Sequence, residues 1–183
     1  MRSLEYDSGA LRTSGYDFRH ESDRKNDNEA PNKMTAARTL EDGTKTHENI
    51  IFSCYGGLSN TGITSALACL EAVKELGLER AAIGCLPALQ LGVKPVIGKA
   101  KAAQKVVTVD GCPLECARKI VEQAGIAPAA SIVLTRDIDM KKKALHEDIG
   151  RDIKGVMEYI SHDEVNRAKE LIVQYISNGG GQR

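Results

Sequence analysis

The chain has no tryptophan and only 4% aromatic residues, which removes most of the platforms on which nucleic-acid bases could stack. Charge of one sign is also missing: 25 Lys and Arg are matched by 25 Asp and Glu. No basic stripe carries aromatic residues between its charges, so nucleic acid is excluded as a partner. Long apolar runs are absent as well. None approaches the ~20 residues that a membrane span needs, and the N-terminus lacks the charged-then-apolar layout of a secretory signal. These absences predict a cytoplasmic protein with no membrane partner. In that reducing compartment five cysteines read as metal ligands, redox thiols or small core residues rather than disulfides, and the odd count agrees.

What is present suffices for one domain and an appendage. A chain of 183 residues, 42% hydrophobic and 27% charged, is too short for two ordinary domains. Residues 1–48 are polar and mixed in charge, as in YDFRHESDRKNDNEAPNK, with neither helical nor strand periodicity. Such a segment cannot bury enough surface to offset its ordering entropy, so it is expected to be a flexible extension, with a short ordered piece where Leu4, Leu11, Tyr16 or Phe18 meets the domain. Residues 49–178 alternate β-rich and helical runs, and 179–183 form a frayed tail. That alternation predicts an α/β fold of three layers, a doubly wound, mainly parallel sheet of about four or five strands, Rossmann-like.

Strands are expected at Asn49–Cys54, Ala81–Leu86, Lys105–Val109 and Ser131–Thr135. A Gly-rich turn, YGGLSNTG, leads into a helix over Asn60–Leu76 that Gly77 stops. PALQLGVKPVIGKA reads as a loop whose later part is a short helix ending near Ala103. Pro113 suits the first turn of a helix that runs to Ala124 and is closed by Gly125. DIDMKKKALHEDIGRD has little pattern, and Ser161 to Glu164 is a capping box opening a last helix that reaches Ser177.

Cys54, Cys85 and Cys112 each fall at or near the carboxyl end of one of these strands. In a parallel sheet all such ends point one way, and ligands bind in the crevice outside them. Cys116 follows Cys112 by four residues, which on a helix returns it to the same face. Four sulfurs from distant parts of the chain thus converge, although free cysteine is also a common core residue. Four thiolates suit tetrahedral zinc at ~2.3 Å, and the same set could hold an iron–sulfur cluster. A helix N-terminus would lower the pKa of Cys112 and Cys116 thiols. Backbone amides of Gly56 and Gly57 could donate to sulfur or to an anion, with Ser59, Asn60 or Thr61 as helix cap.

CPLEC is neither a zinc knuckle nor a thioredoxin motif, and GGLSNTG lacks the Lys-Ser/Thr of a Walker loop. The segments FSCYGGLSNTG, IGCLPAL and VDGCPLECARK do resemble the DGC domain, a small family named after its Asp-Gly-Cys triplet, here Asp110-Gly111-Cys112. The resemblance covers about Asn49 to Met157. It implies four metal-chelating cysteines, which match Cys54, Cys85, Cys112 and Cys116 one for one, and the family's zinc assignment itself rests on that cysteine pattern.

Other residues have plainer roles. Cys69 is expected in the core of the first helix. Asp110 suits either the Asp-Gly turn or contact with the site. Glu115 is expected to face solvent or to interact favourably with the helix dipole, and His20, His47 and His162 to be solvated, whereas His146 is the one histidine that could add a contact. Lys141 to Lys143 form a solvated face, while Lys94 and Lys99 could balance thiolates. The leading expectation is a zinc-binding protein acting in metal handling, sensing or thiol chemistry. A closed four-sulfur shell leaves no position for water activation and argues against a hydrolase. The rivals are an iron–sulfur protein, a metal-free thiol redox protein, and an anion- or nucleotide-binding module with a structural metal.

Overall fold

In a computed structural model, the structure describes residues 38, 39, 43, 45–150 and 155–178. Within the expected extension it holds two short antiparallel strands, β1 (Arg38–Thr39) and β2 (Lys45–Thr46). Leu4, Leu11, Tyr16, Phe18 and the tail 179–183 lie outside the described residues. The remaining elements are β3 (Asn49–Ser53), α1 (Asn60–Leu76), β4 (Ala81–Ile83), α2 (Leu86–Gln90), α3 (Lys94–Ala102), β5 (Lys105–Asp110), α4 (Cys116–Gln123), β6 (Ala130–Val133), α5 (Leu134–Asp137) and α6 (His162–Ser177). Short 3-10 turns occupy Leu145–Asp148 and Val156–Tyr159.

Strands β3 to β6 form a parallel sheet of four in the order β4-β3-β5-β6. All five residues of β3 are buried, as a strand covered on both faces must be. Alternation then sorts its side chains. Ile51 joins Val107, Val109 and Ile132 beneath α1 and α6. Ile50 and Phe52 join Val106 on the opposite face, against Leu89 of α2, Ala100 of α3 and Val121 of α4. The expected three-layer, doubly wound architecture is therefore the observed one. Helix α1 presents the small residues Ala68, Cys69 and Ala72 to its neighbours, which lets α6 come close. Val165, Ala168, Ile172 and Ile176 make the facing stripe on α6, and fully burying a side chain such as Ile172 contributes about 1.5–3 kcal/mol.

Helices α1 and α6 keep the expected bounds because their caps are local. Ser59 Oγ accepts from Gly62 N–H, Gly77 takes φ +83° at the other end, and Ser161 accepts from Glu164 N–H. Three other boundaries differ by more than one residue. Strand β4 ends at Ile83 rather than Leu86, because Gly84 makes the last ladder bond, to Ile51 O at 2.8 Å, and Pro87 then falls in the first turn of α2. Strand β6 stops at Val133, whose N–H is taken by Asp137 of α5 at 2.7 Å. Helix α4 begins at Cys116, not Pro113, because Glu115 adopts φ +50°, which a helical residue cannot have. Among the described residues no helix is long and apolar enough to cross a membrane.

Candidate metal centre

The chain leaves β3 through α1 to β4 on one side, and leaves β5 through α4 to β6 on the other. The carboxyl ends of β3 and β5 are therefore the topological switch point, where a parallel sheet opens a crevice. Cys54 follows β3 there, its N–H bonded to Val109 O at 2.9 Å. Cys112 follows β5, and Cys85 follows β4, on the other flank of β3. Neighbouring strands lie ~4.8 Å apart, so Cys54 stands between the other two strand-end cysteines.

Glycines allow this crowding. A Cβ on Gly62, in the first turn of α1, would lie 2.2 Å from Gly56 O, and one on Gly111 would lie 2.7 Å from the Thr61 carbonyl carbon. The loops after β3 and β5 and the start of α1 thus meet backbone to backbone. Gly84 likewise makes room for the buried Phe52 ring, 2.4 Å from the position of its absent Cβ.

Two cavities open at this edge. One, of about 290 Å³, is lined by Cys54, Cys112, Cys116, Leu58, Lys142 and His146, among others. The other, of about 470 Å³, is lined by Cys54, Tyr55, Gly56, Cys85 and Leu86. Cys54 and Gly56 belong to both. Three of the four expected cysteines therefore share one cavity, and the fourth adjoins it. Cys85 and Cys116 are exposed, Cys54 and Cys112 half-buried, and Cys69 is buried in the core as expected.

The expected pairing of Cys112 and Cys116 along one helix is not what brings them together. Cys112 lies in the turn before α4, where its carbonyl accepts from Glu115 N–H at 3.1 Å, and Cys116 is the first helical residue. Two of the free amides at the start of α4 are also already used: Asp110, 1% exposed, accepts from Ala117 N–H at 2.8 Å and Arg118 N–H at 3.1 Å. A carboxylate thus occupies the positive end of the helix, where the sequence leads one to expect the thiolates. Burial pushes the Asp110 carboxyl above its usual range against these two bonds. Burial also pushes the Cys54 thiol up, the Gly56 N–H opposes this by donating to sulfur, and charges on Asp110, Cys116 and Cys112 raise it further.

Of the candidate anion-binding groups, Gly56 serves Cys54 and Gly57 is exposed, while the polar side chains are engaged with the protein. Ser59 caps α1 and meets Thr61 Oγ1 at 3.2 Å. Asn60 Oδ1 accepts from Thr61 N–H at 2.8 Å and Lys143 N–H at 2.7 Å, and its Nδ2 donates to Lys141 O at 3.0 Å. With the bridge between Ser59 and Ala144, this pins residues 141–145 beside the cavity. Lys142, exposed as expected, also places Nζ 3.6 Å from Cys112 Sγ, a contact the sequence does not signal. Lys94 and Lys99, proposed as counter-charges, line neither cavity. Only the Asn at the start of α1 hinted at such a clamp.

Soft thiol donors from separate segments suit a thiophilic cation. Yet among the described residues no three His, Cys, Asp or Glu side chains stand close enough together to hold an ion. The donor chemistry fits zinc, and closure would require the exposed Cys85 and Cys116 to swing inward. No curated protein and no solved structure shows a match to this sequence. The family model for the DGC domain matches residues 50–160, more than half of the chain and all four cysteines at the sheet edge, and the protein belongs to the DGC domain family.

Proposed function

We propose that the protein binds one zinc ion through Cys54, Cys85, Cys112 and Cys116 and acts in metal handling or sensing in a reducing, cytoplasmic compartment. The observation that carries this reading is the convergence of Cys54, Cys112 and Cys116 on one cavity at the switch point, with Cys85 in the adjoining one. The mutual charges of these thiols oppose ionisation of Cys54; a divalent cation reverses that penalty. Two large hydrophobic clusters already hold the domain, so it has little need of a metal staple, which is chiefly a device of small domains. Exposure of Cys85 and Cys116 supports an ion that enters and leaves.

The raised Cys54 thiol and the filled N-terminus of α4 disfavour a metal-free nucleophile, since both withhold the stabilisation that a reactive thiolate requires. The test is elemental analysis of anaerobically purified protein with Cys→Ser variants at the four positions and at Cys69. Loss of zinc in the four and retention in C69S is expected. Equal retention in all five would defeat the site, and a brown protein containing iron and sulfide would replace zinc by a cluster.

A further inference from the structure

We infer that His146 is an alternative fourth ligand, exchanging with Cys85 on a common trio of Cys54, Cys112 and Cys116. This rests on the metal-binding reading above and specifies how such a site would load and release its ion. The placement of the two candidate donors is asymmetric. His146 lines the cavity that contains the whole trio, whereas Cys85 lines the neighbouring cavity and shares only Cys54 with it. The imidazole thus opens on the same cavity as the three thiols, and would meet an ion there once the exposed Cys116 had turned inward.

The backbone carrying His146 is held on two sides while its side chain is exposed. Leu145 N–H donates to Leu58 O at 2.9 Å, and Ala144 bridges Ser59, fixing the turn to the cavity wall. On the outer side, Asp148 accepts from Lys143 Nζ at 2.9 Å and from Tyr159 O–H at 2.5 Å. A fixed backbone with an exposed imidazole leaves the ring able to turn toward or away from the cavity it lines. Cys85, exposed and preceding α2, has the same freedom from the opposite flank. Neutral imidazole and thiolate are both ordinary zinc ligands, and a shell of three cysteines and one histidine is as usual as one of four cysteines. Exchange between them keeps four-coordination and moves the ion's exposed side from one cavity to the other.

The experiment titrates metal-stripped, reduced full-length protein with Co(II) alone and compares wild type, C85S, H146Q and C85S combined with H146Q, with C54S as the variant that breaks the trio. Co(II) reports ligand type through its visible bands and thiolate number through its charge-transfer intensity. C85S is expected to keep one equivalent of metal with about three quarters of the four-thiolate intensity and a nitrogen ligand in its spectrum. Adding H146Q to C85S should lower affinity by more than the ~10–100-fold that loss of an outer-shell partner costs. H146Q alone should retain a four-thiolate spectrum and release metal to a chelator more slowly. The inference is overturned if C85S binds as poorly as C54S, or if H146Q changes nothing in the C85S background. Wild type binding no Co(II) at all would instead remove the metal reading, and this inference with it.

Discussion

Replacing Gly111 by alanine tests whether the crowded backbone at the sheet edge positions the cysteines. The added Cβ would meet the Thr61 carbonyl carbon at 2.7 Å and both Thr61 O and Gly62 N at 2.8 Å. These are backbone atoms of the first turn of α1, so no side-chain rotation relieves the contact. Forcing extra volume into a packed site costs about 1–3 kcal/mol. Gly111 is not among the residues with positive φ, so alanine is conformationally allowed and recovers about 0.4–1 kcal/mol through the unfolded chain. Taking the middle of each range, the net loss is about 1.3 kcal/mol, which for a chain of this size lowers Tm by roughly 3–5 °C.

The matched control is Gly98 of α3, where a Cβ meets nothing within 4 Å. There alanine replaces a mid-helix glycine and should stabilise by about 0.5–1 kcal/mol. Thermal unfolding followed by circular dichroism in the presence of a chelator measures both without any metal contribution. Opposite signs are expected, and G111A should also weaken metal binding because Cys112 is the next residue. A G111A protein as stable as wild type, or shifted in the same direction as G98A, would refute the packing argument.

Asn60→Ala should release the segment at Lys141–Lys143, costing about 1–3 kcal/mol of local stability; limited trypsin digestion there should then run about tenfold faster or more, with little change in far-UV dichroism. In native, metal-free protein a small alkylating reagent should modify four cysteines and spare Cys69, whose thiol burial pushes up to about 12; modification of Cys69 before unfolding would contradict its core placement. Because the Cys54 thiol is raised by burial and must lose its proton to a metal, Zn(II) affinity should climb with pH through and above neutrality, checked by competition with a chelator at several pH values. Asp110 has its folded pKa raised above the unfolded value, so its contribution is complete below the unfolded carboxylate range and is lost as pH rises through the folded value. The stability difference between metal-free wild type and D110N should therefore fall across that window and then level off, as followed by urea unfolding.

Legibility in the sequence followed the locality of the determinants. Helices α1 and α6 were readable to the residue because Ser59, Gly77 and Ser161 sit next to the ends they define. The doubly wound order followed from the alternation of strand and helix, and three strand-end cysteines from the runs that precede them. Start and stop signals failed where a distant partner decides. Pro113 looks like a helix start, but Asp110 reaches forward to Ala117 and Arg118 and the helix begins later. Gly84 gave no sign of the Phe52 ring it accommodates. The pairing of Asn60 with Lys141 and Lys143 spans more than eighty residues, and no periodicity in DIDMKKKALHEDIGRD announces it. Lys142 and His146 consequently reach the cavity from the least patterned part of the domain.

That late arrival bears on how the thiols are kept. A site built only from strand ends and α4 would rely on the helix dipole to stabilise thiolates, but Asp110 has taken two of the amides through which that field acts. A cation beside the cluster is Lys142, exposed and 3.6 Å from Cys112 Sγ, a weak and screened partner at the surface. The fold therefore gathers the thiols without charging Cys54, whose proton is favoured by burial and by its neighbours. On the metal-binding reading, the ion itself supplies the charge that removes that proton, so binding and proton release are one event. A pre-ionised cluster would instead bind at nearly constant affinity across neutral pH. On the metal-binding reading metal occupancy would follow pH as well as metal concentration, because each ion bound displaces the proton that burial keeps on Cys54.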